Sequence, residues 1–283
     1  MIPNQQQQDA LVEAVRTAAR EEILPRFRNL EAGSVDAKSN PDDLVTIADR
    51  LSEASISAAV AKILPEAEIV GEEAVAEDPT LLDRIGIAET AVIIDPIDGT
   101  WNFAKGVSVF GVLLAVTHRG ETVFGLLYDP LNDDWVMAIR GGGTWFCTAD
   151  GKRRQLRLDV PEGPTGFAGF GSPWLLPEHL RERFALFLLG RGRVTDMRCA
   201  CHAYRTFCFG NGQFSFDFKL MPWDHAAGAL AVVEAGGAVG LLDGRDYAPT
   251  IHEGYMVSAR NAETLEALRK ELSWMVEEGA AAG

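Results

Sequence analysis

The stretch Ala91–Phe103, AVIIDPIDGTWNF, decides how the rest of the chain is read. Ala91, Val92, Ile93 and Ile94 are a short apolar, mostly β-branched run, which reads as the last residues of a buried strand. Asp95 and Asp98 then stand at the polar end of that strand. Pro96 is expected to block further pairing, Gly99 permits a close or left-handed backbone, and Thr100 offers a hydroxyl where a helix can begin. Two carboxylates three residues apart at a strand end suit a hard cation such as Mg²⁺. The plainer reading is an Asx-rich turn in which Asp95 caps a loop and Asp98 faces water.

Around this stretch lies a chain of 283 residues, 47% of them apolar, enough to bury a sizeable core as one large domain or two closely joined layers. A formal charge of −15 gives long-range attraction the wrong sign for nucleic acid or an acidic membrane. Part of that excess is what a carboxylate metal site needs, while most of the 41 Asp and Glu must be solvated surface. Cys147, Cys199, Cys201 and Cys208 show neither a C-x-x-C pair nor the density of a disulfide scaffold, so they read as reduced thiols in a cytoplasmic protein. The N-terminus has no basic segment followed by an apolar one, and no run of about 18 apolar residues occurs. Neither a signal peptide nor a membrane span is expected.

Upstream of the stretch, apolar residues from Leu11 to Leu24 recur at helical spacing, predicting an amphipathic helix over 9–27 with Gln5 to Gln8 as a frayed start. Ser39 to Asp43 has turn chemistry, with Pro41 holding Asn40 away from helical geometry. Asp49 falls where a helix over 48–64 begins, and its plain role is a carboxylate favoured by the helix dipole. Residues 66–76 read as a short strand followed by Gly71-Glu72-Glu73 on a loop, where adjacent glutamates are ordinarily surface. Residues 78–89 return the chain to the sheet as helix or loop.

Downstream, residues 107–118 and 122–128 are β-rich runs joined by Arg119-Gly120, a hairpin signal. A turn at Asp129 to Asp133, a strand over 135–139, Gly141 to Gly143 and a strand over 144–147 continue a meander in the same sheet, which Asp150-Gly151 closes. The expected division is residues 1–151, an α+β half with most candidate ligands, and 152–283, an α/β half. The second half should hold strands over 160–173 and 193–198 with a helix over 177–189 between them, then a helix around 201–209 and a further strand. Asp224 opens a helix whose Ala226, Ala227, Gly228 and Ala229 permit close packing, and taken alone it is most simply an N-cap. Residues 261–278 predict an amphipathic helix, and 277–283 a disordered end.

The nine residues DPIDGTWNF are far more specific than a bare D-x-x-D-G. They resemble the metal-binding signature of the inositol monophosphatase family, Mg²⁺-dependent, lithium-sensitive phosphomonoesterases related to fructose-1,6-bisphosphatase and bisphosphate nucleotidases. PWDHAAG, from Pro222 to Gly228, resembles that family's second signature. KSNPDDLVTIAD, from Lys38 to Asp49, is similar to its lysine loop and D-L-V-T-x-x-D segment, and Gly71-Glu72-Glu73 to its G-E-E motif. GLLYDP and GGGTWF, at 125–130 and 141–146, resemble its G-x-x-Y-x-P and G-x-G-A-(F/W) segments. The resemblance spans nearly the whole chain. It implies an α+β fold, a layered α-β-α-β-α sandwich, with the active site between its halves, and a homodimer.

The resemblance also implies a ligand set for two or three Mg²⁺ ions: Glu72, Asp95, Asp98, Asp224 and the backbone carbonyl of Ile97. Asp95 would bridge two ions, Asp98 and Asp224 would hold the second, and Glu72 would also touch a third with Asp49. Thr100 paired with Asp49 is implied to orient the attacking water, with Lys38 nearby. The N–H groups of Gly99 and Thr100 are expected to face the phosphate. Asp98, Gly99, Thr100, Ala200, Asp217 and Asp224 are the implied substrate contacts.

The chemistry is coherent in its own right. Hydrolysis of a phosphate monoester is very slow uncatalysed, and a protein need only place charge and a water. Mg²⁺ held by carboxylates from separate segments can clamp the phosphoryl oxygens, acidify the water and neutralise the leaving alkoxide. Without metal the carboxylates repel one another, so raised pKa values and a marked Mg²⁺ requirement are expected. The substrate expected is inositol monophosphate or a similar small polyol or sugar phosphate. Where the family carries G-(S/T)-A-A near the substrate ring, this chain has Arg198-Cys199-Ala200-Cys201, followed by His202 and Arg205. That departure opens histidinol phosphate, a nucleotide such as 3′-phosphoadenosine 5′-phosphate, or another sugar phosphate. His225 adjoins Asp224, but neighbours on a helix point about 100° apart, so it is not read as a ligand. The rival from another class is a non-catalytic regulatory binding protein that keeps the fold, against which the complete ligand set counts.

Overall fold

The computed structural model describes residues 1–31, 33, 35–38, 44–158 and 167–281. Helix α1 (Gln5–Ala18) runs on through a π-helical turn (Ala19–Ile23) and a 3-10 turn (Leu24–Arg26). Its start is not frayed, because Asn4 and Gln7 form a capping box that satisfies amides otherwise left without partners. A ribbon of β1 (Val35–Ala37) and β2 (Leu44–Thr46) leads into α2 (Ile47–Ile63). Next come β3 (Glu68–Gly71), α3 (Glu72–Glu77), α4 (Arg84–Ile87), β4 (Thr90–Asp98) and α5 (Thr100–Ala104). The meander follows as β5 (Gly111–His118), β6 (Glu121–Asp129), β7 (Asp134–Ile139), β8 (Gly143–Thr148) and β9 (Arg153–Leu156). The remainder is β10 (Phe167–Phe170), α6 (Glu178–Leu189), β11 (Arg193–Thr195), α7 (Ala200–Cys208), β12 (Phe214–Asp217), α8 (Pro222–Glu234), β13 (Ala238–Leu241), β14 (Met256–Ala259), α9 (Ala262–Glu271) and α10 (Ser273–Ala281).

Strands β3 to β9 form a seven-stranded sheet in sequence order, antiparallel except for the β3–β4 pair. A second sheet of five strands has the order β11-β10-β12-β14-β13. The change of sheet falls between Leu156 and Phe167, after the division at residue 151 that the sequence predicts. Both faces of the large sheet are covered, which is why β5 reads as continuous apolar residues rather than alternating ones. Val112, Leu114 and Val116 pack with Leu11, Val15 and Ile56 of α1 and α2. Leu113 and Ala115 face the other way, toward Cys201, Tyr204, Ala226 and Ala227 of α7 and α8. The far side of the small sheet packs Phe214, Phe216 and Val257 against Phe184 of α6 and Leu265 of α9. The result is the expected α-β-α-β-α sandwich.

Helix α8 lies unusually close to its neighbours because it is built of small residues. A Cβ at Gly228 would stand 2.1 Å from the Tyr204 ring, and one at Gly125 on β6 would stand 2.8 Å from the Ala227 carbonyl. Gly228→Ala should therefore cost about 1–3 kcal/mol by overpacking. Urea unfolding checks this, and an unchanged midpoint would contradict the packing described.

Several boundaries differ from expectation. Strand β4 continues through Pro96 to Asp98 by means of a bulge. Glu72 and Glu73 open α3 rather than lying on a loop. The C-terminal helix breaks at Leu272 into α9 and α10, and the end expected to be disordered is helical through Ala281. The turn at Ser39 to Asp43 and the start of the strand expected from Val160 lie outside the described residues. Among the described residues no helix is long and apolar enough to cross a membrane.

Candidate metal centre

Asp95 and Asp98 would point to opposite faces of a regular strand, since their spacing is odd. The bulge removes that difference. Asp95 pairs with Leu113 and Asp98 with Gly111, so three steps along β4 answer two along β5, and both carboxylates emerge on the side facing α7 and α8. Proline is tolerated at such a bulge, where one ladder bond is already lost. Asp224 approaches from the first turn of α8, where the helix dipole favours a carboxylate. One carboxylate oxygen each from Asp95, Asp98 and Asp224 lies within 4.8 Å of the others.

Each of the three is held differently. Asp98 is 7% exposed and accepts from three donors at the start of α7. Its Oδ1 accepts from Ala200 N at 3.1 Å, and its Oδ2 from Cys201 N at 2.5 Å and Cys199 Sγ at 3.0 Å. Arg198, just before this segment, takes a left-handed backbone, with φ 49°. Asp95 is 1% exposed, and its Oδ1 has no hydrogen-bond partner among the described residues. A buried carboxylate oxygen with nothing to bond is costly, and a cation is the ligand that would satisfy it. Burial and then the neighbouring charges raise the carboxyls of Asp95 and Asp224 well above the usual range. For Asp95 those charges are led by Glu72, and for Asp224 by Asp98. Burial also raises Asp98, less strongly because the α7 donors oppose it.

Glu72 stands outside the tight group, although its charge reaches Asp95. Lys38 Nζ donates to Glu72 Oε1 at 2.9 Å and to Glu73 Oε1 at 2.5 Å. Asp49 is fully buried at the start of α2. Its Oδ2 accepts from the Thr46 amide at 2.8 Å and hydroxyl at 2.6 Å, which makes it the second half of a capping box, a contact beyond the dipole role expected of it. Its Oδ1 meets the Thr100 hydroxyl at 3.1 Å, which links the cap to the cluster. That hydroxyl is also 2.9 Å from the Ile97 carbonyl. Burial pushes the Asp49 carboxyl up to about 7.

A cleft of about 200 Å³ opens from Asp98 and Asp224 past Ala200 toward Asp217, Lys219 and Arg198. Asp217 Oδ2 is 3.5 Å from Ser215 Oγ, and burial raises its carboxyl. Gly99 takes a left-handed φ of 84° and begins α5, a helix of only five residues. Arg198 lines the cleft with its guanidinium carbon 4.1 Å from the Trp101 ring centroid. The other open specificity candidates turn away: His202 Nε2 meets the Phe110 carbonyl at 3.0 Å, and Arg205 is buried against β6 and β7. His225 engages Tyr204 at 3.2 Å through Nδ1 and the Lys219 carbonyl at 2.9 Å through Nε2, leaving no ring nitrogen for a metal.

Two neighbours escaped the sequence. Lys219 carries no motif of its own beyond preceding PWD, yet it lines the cleft. Glu53 lies one turn after Asp49 on α2, and that four-residue spacing was the available signal that both face the same way.

Residues 4–275 match the description of the inositol monophosphatase family. Nus factor SuhB of Haemophilus influenzae is 32% identical over 236 residues, which cover 81% of this chain and 82% of that protein. Inositol-1-monophosphatase of Bacillus subtilis is 29% identical over 245 residues, covering 85% and 88%. In three dimensions the Thermotoga maritima IMPase aligns with a TM-score of 0.77 at 24% identity, over 96% of this chain and 99% of that one, which shows the same fold. The family match takes in residues 4–275, nearly the whole chain, and with a relative 32% identical over most of both lengths it places the chain in the inositol monophosphatase family.

Proposed function

We propose that this chain is a Mg²⁺-dependent phosphomonoesterase acting on inositol monophosphate or a similar small polyol or sugar phosphate. The observation that carries this reading is the buried Oδ1 of Asp95, without a hydrogen-bond partner among the described residues, beside Asp98 and Asp224 at the mouth of a cleft. Asp95, Asp98, Asp224, Glu72 and the Ile97 carbonyl would hold two or three Mg²⁺ ions, an all-oxygen set that suits this cation. When bound, such ions supply positive charge to the phosphoryl oxygens and the departing alkoxide and acidify a water.

The chain's own residues provide the order. If the Thr100 hydroxyl gives its hydrogen to Asp49 Oδ1, its oxygen is left to accept from the attacking water and fix that water's lone pair toward phosphorus. Asp49 is itself held for this by the Thr46 amide and hydroxyl, which occupy its Oδ2 and leave Oδ1 toward Thr100. The α7 amides keep Asp98 in one rotamer, so little reorganisation is needed as charge moves. Asp217 faces the same cleft and can accept from leaving-group hydroxyls.

Relatives named inositol-1-monophosphatase and fructose-1,6-bisphosphatase/inositol-1-monophosphatase support a polyol or sugar phosphate. Relatives named Nus factor SuhB support, as a second reading, a regulatory binding role on the same fold. Lithium sensitivity and a homodimer belong to this proposal on family resemblance, and a cytoplasmic setting on reading the four cysteines as reduced thiols. Assays with inositol 1-phosphate, histidinol phosphate and 3′-phosphoadenosine 5′-phosphate, with and without Mg²⁺, separate these cases. Mg²⁺-dependent release of phosphate fastest from inositol 1-phosphate is expected. Turnover undiminished in excess chelator would refute the reading, and no turnover of any phosphate would favour the regulatory one.

A further inference from the structure

We propose that Glu53 is a positioning residue that sets Glu72 beside the aspartate cluster, and that residue 71 is glycine to make room for it. This rests on reading Glu72 as a metal ligand. Glu53 is 7% exposed on α2, and neither the motifs nor the mechanism uses it. Its Oε2 accepts from Glu73 N at 2.8 Å and its Oε1 from Ala74 N at 2.9 Å. These are amides of the first turn of α3, whose N-cap residue is Gly71 and can offer no side-chain cap. The carboxylate therefore grips the backbone immediately after Glu72.

Gly71 supports the same conclusion independently. Its φ of −94° and ψ of 153° are open to any residue, so conformation does not demand glycine. Space does, because a Cβ there would fall 2.2 Å from Glu53 Cδ and 2.4 Å from its Oε1. Glu72 is thus fixed from both sides, with Gly71 pressed against the Glu53 carboxylate and the next two amides bonded to it. Lys38 then pins the Glu72 carboxylate itself. A ligand held in this way loses less side-chain and backbone freedom on binding a cation than one on a mobile loop.

The test compares wild type, Glu53→Gln, Gly71→Ala and Leu265→Ala, the last a core truncation in the C-terminal half remote from Glu72. Two quantities are read: amide hydrogen exchange at Glu73 and Ala74 in metal-free protein, and the Mg²⁺ concentration giving half of the thermal stabilisation. Glu53→Gln removes one acceptor and a charge, whereas Gly71→Ala keeps the charge and displaces it. Both should speed exchange at the two amides and raise the Mg²⁺ midpoint about 10- to 100-fold, as is typical when support for a ligand is lost. Leu265→Ala should lower the unfolding temperature and leave the Mg²⁺ midpoint unchanged. Unchanged exchange, an unchanged midpoint in both variants, or an equal shift in Leu265→Ala would overturn the proposal. A shift in Glu53→Gln alone would assign the effect to lost charge and also overturn it. Absence of any Mg²⁺ effect in wild type would instead overturn the metal reading, and this proposal with it.

Discussion

Asp95→Asn should lower phosphatase turnover by about 10³-fold or more, beyond the 10–100-fold expected for a residue that only supports a ligand. The same change should leave the metal-free protein as stable as wild type, or more so. The carboxylate it replaces is buried, unpartnered at Oδ1 among the described residues and repelled by Glu72, Asp98, Asp224 and Asp49, so metal-free folding works against it. Its raised pKa gives the sign of the pH dependence. A carboxyl that titrates higher folded than unfolded adds stability below its unfolded pKa, and that stability is lost as pH rises through the folded value. Asp49, pushed up to about 7, acts in the same direction. Metal-free wild type should therefore melt at progressively lower temperature between about pH 5 and pH 8, and Asp95→Asn should show a shallower slope. Melting curves in chelator across that range check this, and a rise in stability with pH would contradict it.

Arg205→Met should destabilise the fold by roughly 3–5 kcal/mol, the usual cost of breaking a buried ion pair from one side. Arg205 is 5% exposed on α7, and its guanidinium bonds the Asp134 carboxylate and, at 2.9 Å, the Leu127 carbonyl. Asp129 Oδ2 lies 3.9 Å away. Removing the cation leaves two carboxylates facing an apolar side chain at the junction of α7 with the large sheet. The chemistry should survive, because Arg205 does not line the cleft, so kcat per folded molecule should stay close to wild type. A urea midpoint within about 1 kcal/mol of wild type would show that the pair is not what ties α7 to the sheet.

The strand-to-carboxylate reading of Ala91–Asp98 was legible because β-branched residues, charge and glycine occur in an order that few structures can satisfy. The side on which the two aspartates emerge was not. A one-residue bulge decides it, and the extra residue is visible only in the pairing of Asp95 with Leu113 and Asp98 with Gly111. Asp224 could be named from its string, but its distance to the pair depends on how closely α8 packs, which Gly125 and Gly228 determine from two different elements. His202 and Arg205 looked like specificity groups because exposed polar residues near a motif ordinarily touch ligand. Their partners, the Phe110 carbonyl and Asp134, lie about 70 or more residues away and could not be inferred locally. Glu53 shows the converse, a residue that local spacing could have flagged but whose purpose needed Gly71, Glu73 and Ala74 in place.

With no metal bound, the raised carboxyls of Asp95, Asp98 and Asp224 should retain protons that a divalent cation displaces. Calorimetric titration of Mg²⁺ into metal-free protein near about pH 6, repeated in buffers of different ionisation enthalpy, measures both events at once. Saturable binding accompanied by proton release is expected, with affinity increasing as pH is raised. Binding without proton release, or no binding at millimolar Mg²⁺, would contradict it.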